Sequence, residues 1–142
     1  MITDPIADML NRIKNANAVK ADHVAVPSSK VKAKIAALLK EAGYVANVEK
    51  KKKKARKVEH DYLDLELKYT DGQSAINGIK LISRPSRHIY VKTGKIKPVR
   101  SGFGTMVIST SKGVMTAQEA RKQRLGGEIL FEIWWVYLSA GE

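Results

Sequence analysis

Ser109-Thr110-Ser111-Lys112 sets three hydroxyls beside an ammonium, an arrangement that suits two different chemistries. As S-x-x-K, with Lys92-Thr93-Gly94 as K-T-G, it fits a serine nucleophile assisted by lysine in an acyl-transfer enzyme, with Ser109 and Lys112 as the reacting pair. The constellation is incomplete. S-D-N is absent, K-T-G precedes the serine, and 142 residues are too few to enclose such a site. Gly102-Phe103-Gly104 opens like a dinucleotide loop, but Val107 stands where the third glycine belongs, and no phosphate-binding G-x-x-x-x-G-K-[ST] occurs. The chain has no cysteine, and His23, His60 and His88 lack metal-ligand spacing, so neither a metal nor a cofactor is expected. The second chemistry is binding. A hydroxyl donates and accepts, so one loop can meet phosphate, ribose 2′-OH or a base edge. Lys112 adds charge and Gly113 allows close backbone approach. The same residues also suit a plain turn whose hydroxyls cap the loop and the next helix, and these residues alone leave both readings open.

The charge around the loop favours binding. Net charge is +12, from 26 Lys+Arg against 14 Asp+Glu. That balance calls for a polyanion: nucleic acid, an anionic membrane surface or an acidic sugar. From Arg84 to Arg124 there are ten Lys/Arg and one acid, Glu119. Arg84, Arg87 and Lys112 are the candidate phosphate contacts there. Tyr90 reads either as a base-stacking platform or as a half-buried sheet tyrosine. Ser28, Ser29 and Lys30 stand at a helix start, where dipole and ammonium both favour phosphate, although Lys30 equally suits a solvated helix face. Glu128 is wrong for phosphate and right for ordering neighbouring backbone N–H groups or lysine, so its expected role is support. Lys50 to Lys54, followed by Arg56 and Lys57, reads as an exposed hairpin tip or loop that would hold any polyanion without sequence preference. The first residues are acidic and lack a long apolar run, and Ile133 to Leu138 is too short to span a bilayer. A cytoplasmic protein is the expectation.

Several elements must position these residues. Thr3-Asp4-Pro5 starts an amphipathic helix with Ile6, Met9, Leu10 and Ile13 inward, ending near Asn17. His23 to Val26 reads as a strand cut by Pro27. A second helix, capped by Ser28 or Ser29, carries the stripe Val31, Ile35, Leu38, Leu39 and Ala42 and stops at Gly43. Tyr44 to Glu49 reads as a strand, and Leu63 to Tyr69 alternates as a half-buried one, closed by Asp71-Gly72. Residues 74–82 fit either helix or strand. Arg87 to Lys92 and Thr105 to Ser109 read as strands, and Ser101 to Gly104 as a turn. Thr116 and Glu119 form a capping box for a helix reaching Arg124. Gly126-Gly127 ends it, and Glu128 to Tyr137 is a last strand with Ile129, Phe131, Ile133, Trp135 and Tyr137 on one face. The fold expectation is α+β in two small domains. Residues 1–70 form a helix-strand-helix-strand-strand unit, 71–84 a linker region, and 85–142 a mostly antiparallel β domain with a short helix and an extended last strand.

In this order the chain carries Thr3-Asp4-Pro5-Ile6-Ala7-Asp8-Met9-Leu10, Pro27-Ser28-Ser29-Lys30, Ser83-Arg84-Pro85, Ile89-Tyr90, Ser109 to Thr116 and Leu125-Gly126-Gly127-Glu128. With these motifs it resembles the bacterial small-subunit ribosomal protein eight family, from Ile2 to about Trp134. The resemblance implies two α+β domains, no enzymatic activity and direct binding to a helix in the central domain of 16S ribosomal RNA, helping to assemble the platform. It implies that the second domain supplies much of the RNA surface through Tyr90 and Ser109 to Lys112. Ser28-Ser29-Lys30 lies on the RNA-facing side of the first domain, and Gly113, Thr116, Gly126, Gly127 and Glu128 support the loop. Ribosomal proteins five and twelve of the small subunit are the implied neighbours, and the messenger RNA of its own operon is a further possible partner. The chain departs from the family at Ser86, where glycine is usual, at Arg87-His88, in the variable 50–57 loop and in the tail from Trp135 to Glu142.

Overall fold

The computed structural model describes residues 5–55, 58–70, 72–84, 86–96 and 104–135. The Thr3-Asp4 cap, the Ser101–Phe103 part of the expected turn, Arg56-Lys57 and the tail with Tyr137 lie outside them. The chain is α+β and divides into two compact units, Met1–Ala75 and Ile76–Glu142.

The first unit runs α1 (Pro5–Ala18), β1 (His23–Pro27), α2 (Lys30–Glu41), β2 (Val45–Ala55) and β3 (Val58–Leu67), then a two-residue hairpin of β4 (Tyr69–Thr70) and β5 (Gln73–Ser74). Its antiparallel sheet has the order β1-β3-β2. The alternation along β3 buries Leu63, Leu65 and Leu67, and Met9, Leu10 and Ile13 of α1 and Ile35, Ala36 and Leu39 of α2 are buried with them in this unit. Each fully buried aliphatic side chain contributes roughly 1.5–3 kcal/mol.

Both helices end by the same device. In α2, Tyr44 N–H donates to the Leu39 carbonyl at 2.9 Å and Gly43 N–H to Lys40 at 3.1 Å, with Gly43 at φ 90°. These two bonds close a Schellman motif, which satisfies carbonyls that the helix leaves open. In α1 the equivalent bonds run from Ala21 to Ala16 and from Lys20 to Asn17, and Lys20 takes the left-handed position at φ 56°.

One expectation changes in this unit. The buried stripe of α2 is Lys32, Ile35, Ala36 and Leu39, while Val31 is exposed. Lysine tolerates that position because its four-carbon stem packs as an aliphatic chain while the ammonium seeks water. Of the two readings of the lysine run, hairpin end or loop, the hairpin end holds. Lys50 to Lys54 continue β2, each paired with a residue of β3 from Leu63 down to Glu59.

Tyr69 donates its phenol to the Ala21 carbonyl at 2.6 Å, tying the start of β4 to the chain after α1. Burial, and then the charge of Asp22, push its pKa above the ordinary 10.0. The folded state therefore favours the neutral phenol. That contribution is complete below pH 10.0 and is lost as pH climbs through the raised folded value. Tyr69→Phe should cost about 1 kcal/mol at pH 7 and flatten the fall in melting temperature above pH 10 relative to the parent chain. Parallel melting curves for the two proteins would disprove this assignment.

The second unit is built on an antiparallel sheet of β6 (Gly78–Leu81), β7 (Tyr90–Val91), β8 (Gly104–Thr110), β9 (Gly113–Thr116) and β10 (Gly127–Trp134). Its order is β6-β10-β8-β9, with β7 also pairing β10. The region expected as a linker thus contains β6, whose register Phe131↔Leu81 to Trp134↔Gly78 makes it part of this sheet. Gly78 is needed there, because a Cβ would overlap the Trp134 indole at 2.3 Å.

The last strand is corrected too. A bulge between Ile129 and Phe131 inserts Leu130, so Ile129 pairs with Ile108 while Phe131 pairs with Val107. Ile129 and Phe131 therefore point to opposite faces. One face packs Ile108 and Met115 with Ala117 and Ala120 of α3 (Ala117–Lys122) and with Ile96, which follows the short 3-10 turn Thr93–Lys95. The α3 helix closes with bonds from Leu125 to Ala120 (2.8 Å) and from Arg124 to Arg121 (3.1 Å), with Arg124 at φ 57°. Leu125 packs on the same cluster, which completes the Schellman arrangement.

Candidate nucleic-acid interface

The hydroxyl loop is the two-residue turn of the β8–β9 hairpin. Thr110 pairs with Gly113, leaving Ser111 and Lys112 exposed at the tip. Thr110 Oγ1 donates to the Gly113 carbonyl at 2.8 Å and accepts from Lys112 N–H at 3.1 Å. Its hydroxyl therefore fixes the turn, while Ser111 and Lys112 stand outward. Gly113 sits at φ 109°, in the left-handed half of the map where a Cβ is strained. Thr116 caps α3 by accepting from Glu119 N–H at 3.2 Å. The Glu119 carboxylate takes a hydrogen bond from Gln123 Nε2 at 2.8 Å.

Ser109 is a ladder residue that pairs with Glu128 on one side and Val114 on the other. Glu128 in turn pairs with Tyr90. Directly paired residues share a face, so Tyr90, Glu128, Ser109 and Val114 form one row across the sheet. Tyr90 is 70% exposed. Its ring is thus free to stack, and the half-buried alternative does not apply.

The two glycines bring these strands together. A Cβ on Gly127 would lie 2.1 Å from the Ser109 carbonyl oxygen, and one on Gly126 would lie 2.5 Å from that of Val91. Gly126 and Gly127 are therefore contact glycines, and the helix stop falls at Arg124.

Two supporting contacts escaped the sequence reading. The Glu128 carboxylate pairs with His88 Nδ1 rather than with a lysine. Ser83, a buried polar residue, accepts from Ile89 N–H at 2.9 Å and donates back to the Ile89 carbonyl at 3.4 Å. Between these anchors Arg84 and Arg87 exchange backbone hydrogen bonds, both at 2.9 Å, and close a turn that carries two exposed guanidinium groups. No local sequence pattern marks a serine that clamps the chain six residues on. The expected strand from Arg87 shrinks to Tyr90–Val91: the Ile129 N–H to Ile89 carbonyl bond (2.8 Å) belongs to the ladder, and before it the Ile89 N–H turns to the Ser83 hydroxyl.

The second unit thus assembles Arg84, Arg87, Tyr90, Ser109, Ser111 and Lys112 on Gly113, Thr116, Gly126, Gly127 and Glu128. Ser28, Ser29 and Lys30 belong to the first unit. There Ser29 is the N-cap of α2, its hydroxyl accepting from Lys32 N–H at 3.1 Å. Ser28 N–H donates to the Asp61 carbonyl at 3.1 Å, and Lys30 is exposed in the first turn. Ser109 and Lys112 do not form a nucleophile pair, since one lies in the ladder and the other at the turn tip. Among the described residues no group of three or more His, Asp or Glu could hold a metal, and no helix is long and apolar enough to cross a membrane.

Residues 4–134 match the family model described as Ribosomal protein S8. Three relatives carry the name Small ribosomal subunit protein uS8. The protein of Sorangium cellulosum is 44% identical over 135 residues, covering 94% of this chain and all of the relative. That of Nitratidesulfovibrio vulgaris is 43% identical over 134 residues, with the same coverage. That of Mycoplasmopsis synoviae is 48% identical over 135 residues, covering 94% of this chain and 98% of the relative. Matched along nearly its whole length, the chain belongs to the ribosomal protein S8 family, a family of structural, non-enzymatic proteins of the small ribosomal subunit.

Proposed function

We propose that this protein binds the central domain of 16S ribosomal RNA directly and helps to assemble the platform of the small subunit. The observation that carries the reading is the row Tyr90, Glu128, Ser109 on one sheet face, with Ser111 and Lys112 at the adjoining hairpin tip. Arg84, Arg87 and Lys112 neutralise phosphates and set the orientation. Tyr90 stacks on an unpaired base, and Ser109 and Ser111 read ribose and base edges of an irregular helix. Ser28, Ser29 and Lys30 add a contact at the start of α2. Ribosomal proteins five and twelve are the expected neighbours, and the messenger RNA of its own operon is a second RNA of the same kind.

Chemical footprinting of the full chain on small-subunit ribosomal RNA, with an unrelated structured RNA as control, tests the reading. Protection should concentrate on one central-domain helix. Diffuse protection of both RNAs would leave only a basic protein that binds nucleic acid without preference.

A further inference from the structure

We propose that the lysine-bearing end of the β2–β3 hairpin is a second RNA site, a groove for a single-stranded segment, separate from the surface in the second unit. The proposal rests on RNA being the partner but not on the 109–112 loop.

Strand β1 ends where Pro27 pairs with Tyr62, and Ser28 N–H then takes the Asp61 carbonyl. Beyond that point β3 continues to pair with β2 alone, through Asp61↔Lys52, His60↔Lys53 and Glu59↔Lys54. Its other edge is uncovered by β1 and borders an open groove of about 1000 Å³. Arg12, Ser28, Lys52, Lys53, His60 and Tyr62 line the groove, together with the carboxylates Glu59 and Asp61.

The strand register sorts these groups. Lys51, Lys53, His60 and Tyr62 share one face of the hairpin, and Lys50, Lys52, Asp61 and Glu59 share the other. Two lysines are already spoken for: Lys50 pairs with Asp61 at 3.4 Å, and Lys51 with Asp64 at 3.1 Å and Glu49 at 3.8 Å. The Asp64 bond holds the Lys51 pKa above its ordinary value. Among the described residues no carboxylate forms an ion pair with Lys52 or Lys53. Arg12 is held by Asp8 at 3.0 Å and by the Ala25 carbonyl at 3.3 Å, so its charge is fixed at the groove wall.

Lys53 shares its face with an exposed imidazole and a half-buried phenol, and Lys52 lines the groove from the opposite face, so charge for phosphate and rings for bases meet along this edge, as a single strand requires. An added β-strand fits less well. Ser28 already occupies the next place along the β3 edge.

The test uses the full chain and a labelled twelve-residue oligo(U), followed by fluorescence anisotropy across a salt series. Lys52→Gln/Lys53→Gln removes two exposed charges. It should weaken oligo(U) binding about tenfold near physiological salt and lower the salt slope by about 1.4, since each single-strand phosphate contact contributes ~0.7. Lys14→Gln, on the exposed side of α1, should match the parent. Tyr62→Ala should weaken binding roughly 5- to 150-fold, and Tyr62→Trp should retain it, which separates stacking from folding. Unchanged oligo(U) affinity in the double lysine variant overturns the proposal, as does tighter binding of a poly-glutamate peptide than of oligo(U) at this groove. Retained central-domain protection with such a null result fails the groove alone. Lost oligo(U) binding without central-domain protection fails the second-unit reading and supports the groove.

Discussion

Gly127→Ala should destabilise the second unit by ~3 kcal/mol relative to the parent, a fall in melting temperature of about 12–24 °C. The reason is geometric. The new Cβ would sit 2.1 Å from the Ser109 carbonyl oxygen, 2.9 Å from its carbonyl carbon and 3.0 Å from the Ile108 side chain. Two of those atoms are backbone in the neighbouring strand and cannot swing aside as a side-chain tip would. Relief requires β8 and β10 to separate at the Glu128↔Ser109 pair, where Ile129, Ile108 and Phe131 begin their packing. Interiors packed at crystal density absorb such shifts poorly. Gly94→Ala is the control, because a Cβ there meets nothing within 4 Å and its backbone is not left-handed. It should change stability by no more than ~0.5 kcal/mol. Differential scanning calorimetry of the two variants decides the matter. Equal melting temperatures would mean that Gly127 is not a contact glycine, and the strand approach beneath the Tyr90–Glu128–Ser109 row would be wrong.

The same residues show where sequence patterns carry structural information and where they stop. Alternation made β3 legible, because one face must be apolar and the other wet. Gly43 marked the end of α2, and Thr116 the start of α3, since each satisfies a backbone need by residue type. The lysine run left hairpin and loop open because charge reports solvation, not backbone pairing. A strand whose side chains all face water still needs only a partner ladder, which β3 supplies down to Glu59. The phase of α2 misled because lysine counts as polar in a periodicity while its stem is buried like leucine. The bulge at Leu130 left no mark because Ile129-Leu130-Phe131 is apolar on either phase. At the interface, the loop and Tyr90 stood out by residue type. Ser83, His88 and the contact roles of Gly126 and Gly127 depend on residues far away in sequence, which no local window contains.

Lys112→Ala and Ser111→Ala should fail in different ways on RNA, and the difference tests the division of labour in the hairpin tip. With six to ten phosphates contacted, the parent should lose ~10³–10⁵ in affinity between ~50 and ~200 mM salt. Lys112→Ala should lower the salt slope by about one contact, ~0.7–0.9, on cognate and random RNA alike. Ser111→Ala should leave the slope intact and weaken only the cognate RNA, by ~1–1.5 kcal/mol for one lost hydrogen bond. Thr110→Val separates shape from contact. Its hydroxyl is engaged with Gly113 and Lys112, so its loss frees the turn that positions both neighbours. The variant should therefore lose affinity as the Ser111→Ala/Lys112→Ala double does, about 2 kcal/mol or more, while Thr110→Ser stays near the parent. Electrophoretic mobility shifts at three salt concentrations read all four outcomes. If Ser111→Ala weakens random duplex RNA as much as cognate RNA, the tip gives affinity without recognition, and selectivity must come from Tyr90 and the arginine turn.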